Sequence, residues 1–194
     1  VVVHSTTKFI NGHGTVIGGA VVSADAEYME NGPGKKLRFM GGAAPSAFDC
    51  WLTNIGLKTL PLRMRQHCIN ARVVAEFLDG HAKVEQTYWP GLPSHPKHDV
   101  AARQMSDFGA MISIDLGSYA AAGRFMSGLS LCSLAVSLGN VDTLVQHPAS
   151  MTHRMLSDEG RAASGITPGL VRLSVGIEDA DDIVADLRNA LTNV

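Results

Sequence analysis

Lys8 is the residue in this sequence whose surroundings most suggest covalent chemistry. It follows an apolar strand and stands beside Ser5, Thr6 and Thr7 rather than beside acids that would hold it as an ammonium. A partly desolvated lysine amine has a lowered pKa and can form a Schiff base with an aldehyde. The hydroxyls of Ser5 and Thr7 could meanwhile bond phosphate oxygens, so an aldehyde-bearing phosphate such as pyridoxal phosphate would satisfy both features. The competing reading is an exposed loop lysine that lays its stem along strand residues.

Arg172 lies in LVRLSV, with Leu170 and Ser174 on its own strand face and Val171, Leu173 and Val175 on the other. An arginine on an apolar strand needs an anion to offset its desolvation, and its planar fork matches a carboxylate in two parallel bonds. A salt bridge within the fold would serve equally well. Ser137 follows an apolar strand and stands two residues before Gly139, so it offers a hydroxyl or a backbone N–H to a ligand, or simply makes a turn. Among eight histidines the closest pair is His95 and His98, but Pro96 between them spoils helical spacing and no third ligand is evident, so no metal site is expected. Gly12, Gly14, Gly18 and Gly19 lack the GxGxxG spacing of a phosphate cradle and read as tight turns.

The elements that must position these residues alternate between strands and helices. Val1 to Val3 reads as the end of a buried strand, Thr15 to Ser23 as a second strand, and Ala24 to Tyr28 as the start of a helix. Glu30 to Pro45 reads as a mobile connection, with a domain boundary soon after it. Leu60 to Leu78 carries Met64, Cys68, Ala71, Ala75 and Leu78 at helical spacing and ends at Gly80. Prolines 90, 93 and 96 exclude regular structure until about Asp99, and Val100 to Met105 reads as helix. Strands are expected at 110–116, 131–136 and 170–175, and helices at 119–126 and 179–191. Trp51, Phe77, Phe108 and Phe125 are assigned to the core. The alternation gives an α/β class: a C-terminal remnant of a large α/β domain over 1–59, then a smaller α+β domain over 60–194.

Composition narrows the partners. With 194 residues, 45% hydrophobic and 18% charged, the chain can bury a sizeable core and is not disordered. Sixteen basic against eighteen acidic residues, with no basic run, argue against nucleic acid. No apolar run reaches the ~18 residues a membrane helix needs. Cys50, Cys68 and Cys132 lack any CxxC pairing, which fits a reducing cytoplasm. The chain opens on three valines without an initiator Met, so it reads as a piece of something longer.

Taken together, HSTTKFINGHGTVIGG at 4–19 closely resembles the cofactor-lysine motif of the trans-sulfuration enzymes, the Cys/Met-metabolism family that uses pyridoxal 5'-phosphate. The likeness continues in PSAFDCWL at 45–52, GLKTLPLRM at 56–64, YWPGLPSHP at 88–96, AVSLGNVDTLVQHPASMTH at 135–153 and LVRLSVGIEDADD at 170–182, and covers essentially the whole chain. It implies part of a fold-type I pyridoxal-phosphate enzyme in which Lys8 carries the cofactor and is the catalytic base. It further implies that Ser5 and Thr7 hold the phosphate, and that Ser137 and Arg172 receive the substrate's α-carboxylate.

The implied substrate is a small sulfur amino acid and the implied reaction γ-elimination to α-ketobutyrate, ammonia and a thiol. Within the family, 135–153 is most like the methionine γ-lyases, because Val136 stands where cystathionine-handling members carry an acid. Leu37-Arg38-Phe39 is more like the cystathionine enzymes, and GHGTVIGG at 12–19 is similar to O-acetylhomoserine sulfhydrylase, so γ-replacement stays open, as does a non-catalytic fragment acting in folding or assembly. Family members form homotetramers in full length. Their pyridine-nitrogen aspartate, ring-stacking tyrosine and neighbour-subunit phosphate ligands precede the lysine motif, so 194 residues alone are expected to catalyse weakly or not at all.

Overall fold

A computed structural model describes residues 1–194. The chain divides into two compact units, Val1–Pro61 and Leu62–Val194. Its architecture is α/β with a mixed sheet, as the alternation of elements required.

In the first unit β1 (Val2–Ser5) pairs antiparallel with β2 (Gly19–Val22) in a two-stranded ribbon. Of the three valines that read as a buried strand end, Val2 and Val3 are in β1 and Val1 precedes it, and all three are exposed, each strand of the ribbon having a single neighbour. Helix α1 (Ala26–Glu30) is capped by the Asp25 carboxylate, which accepts from Tyr28 N. The stretch expected to be a loose connection contains α2 (Pro33–Met40), with proline at its first helical position, where its missing N–H costs nothing. Helix α3 (Ala47–Asp79) begins thirteen residues before the apolar periodicity does. Its early turns carry no buried stripe, since Phe48, Trp51, Ile55 and Leu57 are exposed, and Trp51 at 57% exposure is not a core residue.

The second unit is built on a five-stranded sheet of β3 (Gln86–Tyr88), β4 (Met111–Asp115), β5 (Ser133–Leu134), β6 (Leu144–Gln146) and β7 (Leu170–Ser174), in the order β3-β4-β7-β6-β5. All neighbours are antiparallel except β5 and β6. Strands β3 and β6 are three residues each, too short for a periodic signal, and β5 is shorter than the expected 131–136. Helices α4 (His98–Gln104), α5 (Tyr119–Ser127), α6 (Asp158–Ala163) and α7 (Ala180–Thr192) complete it.

Register separates the two sheet faces. Ile112 pairs with Leu173 and Leu173 with Val145, all fully buried, whereas Ser113 pairs with Arg172 and Arg172 with Gln146 on the other face. Phe125 of α5 and Ile183, Leu187 and Leu191 of α7 are buried core residues, and α5 packs on both α7 and β7. The second half of α3 buries Cys68, Ala71, Val74, Ala75 and Leu78. His67 Nδ1 lies 2.7 Å from the Val175 carbonyl, and Asn70 Nδ2 donates to the carbonyls of Gly176 and Glu178. No helix is long and apolar enough to cross a membrane.

One carboxylate ties α7 to the segment before β5. Asp186, 7% exposed, accepts from the backbone N–H groups of Ser130, Leu131 and Cys132 at 2.8–3.0 Å. Burial pushes its pKa up, but these donors and the Cys132 thiol outweigh burial and hold it below the ordinary carboxylate value. Burial, reinforced by the Asp186 charge, raises the Cys132 thiol well above its usual range. Asp186→Ala leaves three backbone donors without their acceptor, that of Cys132 buried, and is expected to cost about 2 kcal/mol in urea unfolding at neutral pH. Because the folded pKa is depressed, the stabilisation is complete above the unfolded aspartate value near 3.9 and is lost as pH falls through the folded one. The gap between wild type and variant therefore closes in strong acid; a gap unchanged there would contradict the assignment.

Candidate functional site

The lysine loop begins where β1 ends. Residues Thr6–Ile10 form one wide π-type turn, closed by Asn11 N donating to the Thr6 carbonyl at 3.0 Å. Lys8 sits at a kink inside it, at φ −91 and ψ −135, and its carbonyl accepts from Gly12 N at 2.8 Å. Gly12 and Gly14 follow at φ 72 and 65, the left-handed conformations that glycine permits. The backbone N–H groups of Thr6 and Thr7 both point at the Gly18 carbonyl, so the loop is anchored to the start of β2.

The three hydroxyls that precede Lys8 are placed differently. Thr6 is buried, Ser5 is exposed, and Thr7 is half-buried. The Thr7 hydroxyl accepts from Gly18 N at 2.9 Å and donates to the Gly18 carbonyl over a long 3.3 Å, a weak bond that an anion could displace. These residues fit pyridoxal phosphate chemically: an amine for its aldehyde and two accessible hydroxyls for its phosphate oxygens. A hollow of about 790 Å³ in this unit is lined by Thr6, Val16, Asp49, Cys50 and Asn54 among others, and Lys8 is not among its lining residues.

Asn11 was not singled out from sequence, yet it holds the turn after Lys8 together. It is 1% exposed, and its Oδ1 accepts from His13 N, Thr15 N and the Thr15 hydroxyl at 3.2–3.3 Å. The Asn11 carbonyl lies 2.6 Å from His13 Nδ1. Helix α3 comes so close here that a Cβ on Gly56 would stand 2.1 Å from that carbonyl. The only sequence signal was the Asn-Gly pair at 11–12, which reads as a turn.

Ser137 and Arg172, both in the second unit, are brought together. Arg172 Nη2 donates to the Ser137 carbonyl at 2.7 Å. Ser137 has φ 113, a left-handed-side conformation costly for a residue with a Cβ, and the neighbouring Gly139 N is tied to Ser174 Oγ at 2.8 Å. Such strain persists where surrounding bonds over-determine it. The Gln146 amide accepts from both terminal guanidinium nitrogens, at 3.2 and 3.3 Å. No carboxylate reaches Arg172; the ion pairs of the unit are Arg72–Asp107 and Arg161–Asp158. Burial lowers the Arg172 pKa, with no anion to oppose it. The salt bridge that sequence left open is therefore absent. His95 and His98 are used locally: His95 Nδ1 accepts from Lys97 N, and His98 Nδ1 lies 2.8 Å from the Pro90 carbonyl.

Residues 1–192 match the family described as Cys/Met metabolism PLP-dependent enzyme. The L-methionine gamma-lyase of Porphyromonas gingivalis is 51% identical over 195 residues, which are all of this chain and 49% of that protein. The cystathionine gamma-synthase of Mycobacterium leprae is 48% identical over 203 residues, covering 98% of this chain and 48% of that one. Among solved structures, cystathionine gamma synthase from Xanthomonas oryzae pv. oryzae, in complex with aminoacrylate and cysteine, superposes with a TM-score of 0.91 at 51% identity, covering 98% of this chain and 49% of that one. The chain thus spans about half the length of the curated relatives it matches.

Gly56→Ala forces α3 and the Asn11 carbonyl apart and is expected to cost about 2 kcal/mol or more in urea unfolding, with earlier proteolysis between residues 8 and 15. Wild-type stability and cleavage would show that the close approach is dispensable.

Proposed function

The chain belongs to the Cys/Met metabolism pyridoxal-phosphate-dependent enzymes, and on that premise we propose that it carries the cofactor lysine and the substrate-carboxylate residues of a carbon–sulfur lyase. The reaction is γ-elimination from L-methionine or a related amino acid. In balance, L-methionine and one water give α-ketobutyrate, ammonia and methanethiol. The observation that carries this reading is Arg172: a half-buried guanidinium bonded to neutral oxygens and to no carboxylate, its charge left for an anionic ligand.

Lys8 Nζ would hold the cofactor at its aldehyde carbon, with the Ser5 and Thr7 hydroxyls on its phosphate. When bound, pyridoxal phosphate supplies a sink for the electron pair left on the substrate's α-carbon. Lys8 Nζ, when free of the cofactor, would be the base that takes the α-proton and then the β-proton. Arg172 receives the α-carboxylate in a bidentate pair, with Ser137 beside it.

A second reading, γ-replacement of an activated homoserine by a thiol, is favoured by the likeness to cystathionine γ-synthases and by Leu37-Arg38-Phe39 on α2. A reducing cytoplasmic setting is supported by three free cysteines, and a homotetramer by exposed apolar side chains such as Val3, Phe48 and Trp51 that such an assembly would cover. A folding or assembly module without catalysis would be indifferent to Lys8.

The test is α-ketobutyrate release from L-methionine by the cofactor-loaded protein. Lys8→Ala is expected to lower kcat by about a thousandfold or more. Arg172→Ala removes charge-assisted bonds worth roughly 1.5–3 kcal/mol and is expected to raise KM about ten- to a hundredfold. Product formed only from an activated homoserine with added thiol selects γ-replacement; full activity of Lys8→Ala overturns both.

A further inference from the structure

Gln146 is the polar residue of the sheet whose position the proposed chemistry does not explain. It is 1% exposed at the end of β6, with fully buried Val145 before it, and it stands in direct register with Arg172 on β7. Burying a primary amide costs free energy unless its groups are bonded. With its oxygen toward the guanidinium, the amide accepts from Nη1 at 3.2 Å and Nη2 at 3.3 Å. The opposite orientation would set amide N–H groups against guanidinium N–H groups, donor against donor. The same end of the amide lies 3.3 Å from the Thr152 hydroxyl.

Both acceptors on Arg172, the Gln146 amide and the Ser137 carbonyl, are neutral. Each fixes the plane of the guanidinium, and neither cancels its charge. A glutamate has the same length as glutamine and would form a charge-assisted pair from the same place, using internally the charge that an incoming carboxylate needs. An apolar side chain of similar size would leave the guanidinium unaimed.

We propose that Gln146 is a positioning residue that sets how strongly Arg172 binds the substrate's carboxylate: it orients the guanidinium while leaving its charge uncompensated. The proposal rests on the reading of Arg172 as the carboxylate residue. Its signature is a split between stability and recognition. Replacing the neutral acceptor by an acid makes the fold more stable and recognition of carboxylate weaker, whereas a purely structural residue would move both in the same direction.

The experiment compares binding of L-norleucine, which has no γ leaving group, with binding of L-norleucine amide, which lacks the carboxylate, by calorimetry on the cofactor-loaded protein. Wild type prefers the acid. In Gln146→Glu that preference falls about fivefold or more while Tm rises, and KM for the turned-over amino acid rises with kcat little changed. In Gln146→Met the preference also falls, but Tm falls with it. Arg172→Ala abolishes the preference. If Gln146→Glu and Gln146→Met keep the wild-type preference while Arg172→Ala loses it, Gln146 plays no part in recognition and the inference is overturned. If Arg172→Ala keeps it as well, the carboxylate assignment of Arg172 is what fails.

Discussion

A guanidinium on the middle strand of a sheet must be given acceptors, and the second unit is organised around that demand at Arg172. Strand β7 lies between β4 and β6, so its side chains stand on faces shared with both neighbours. Alternation sends Val171 and Leu173 into the apolar layer and Arg172 to the opposite face, level with Ser113 and Gln146. A slip of one residue would drive the guanidinium into the layer of Ile112, Leu173 and Val145, so the apolar core itself enforces the register that presents the arginine. The loop after β5 then delivers the Ser137 carbonyl at the expense of an unfavourable φ. That strain is borne by the same contacts that aim the arginine.

The lysine loop obeys a different constraint. Its turn is wider than an α-turn and is kinked at Lys8, so it cannot be held by helical propagation. It depends on fasteners from outside: the Gly18 carbonyl under Thr6 and Thr7, the Asn11 side chain across the following turn, and the absence of a side chain at Gly56. Each is a small, specific contact. Together they fix the backbone that carries Lys8.

Most of the longer elements were legible because burial imposes its period on the sequence. The alternation around Ile112 and Ile114, the LVRLSV strand and the helical spacing of Ile183, Leu187 and Leu191 all face a core in the way their pattern required. What escaped lacked that signal. The first half of α3 has no buried stripe, α2 hides in a Gly- and Pro-containing stretch, and β3 and β6 are too short to show a period. At the site, Lys8 and Arg172 stood out because a charge at an apolar position demands a reason. Gln146 and Asn11 did not, since a neutral amide is common and its worth depends on partners that only the fold brings near.

The central proposal is that Lys8 is the residue to which pyridoxal phosphate becomes attached in this member of the family. The most direct measurement is borohydride reduction of the purified protein with pyridoxal phosphate, followed by peptide mapping of the reduced label. A single labelled lysine, Lys8, is expected, with no label when the cofactor is omitted. Label confined to Lys35, Lys36 or another exposed lysine, with Lys8 unmodified, would contradict it.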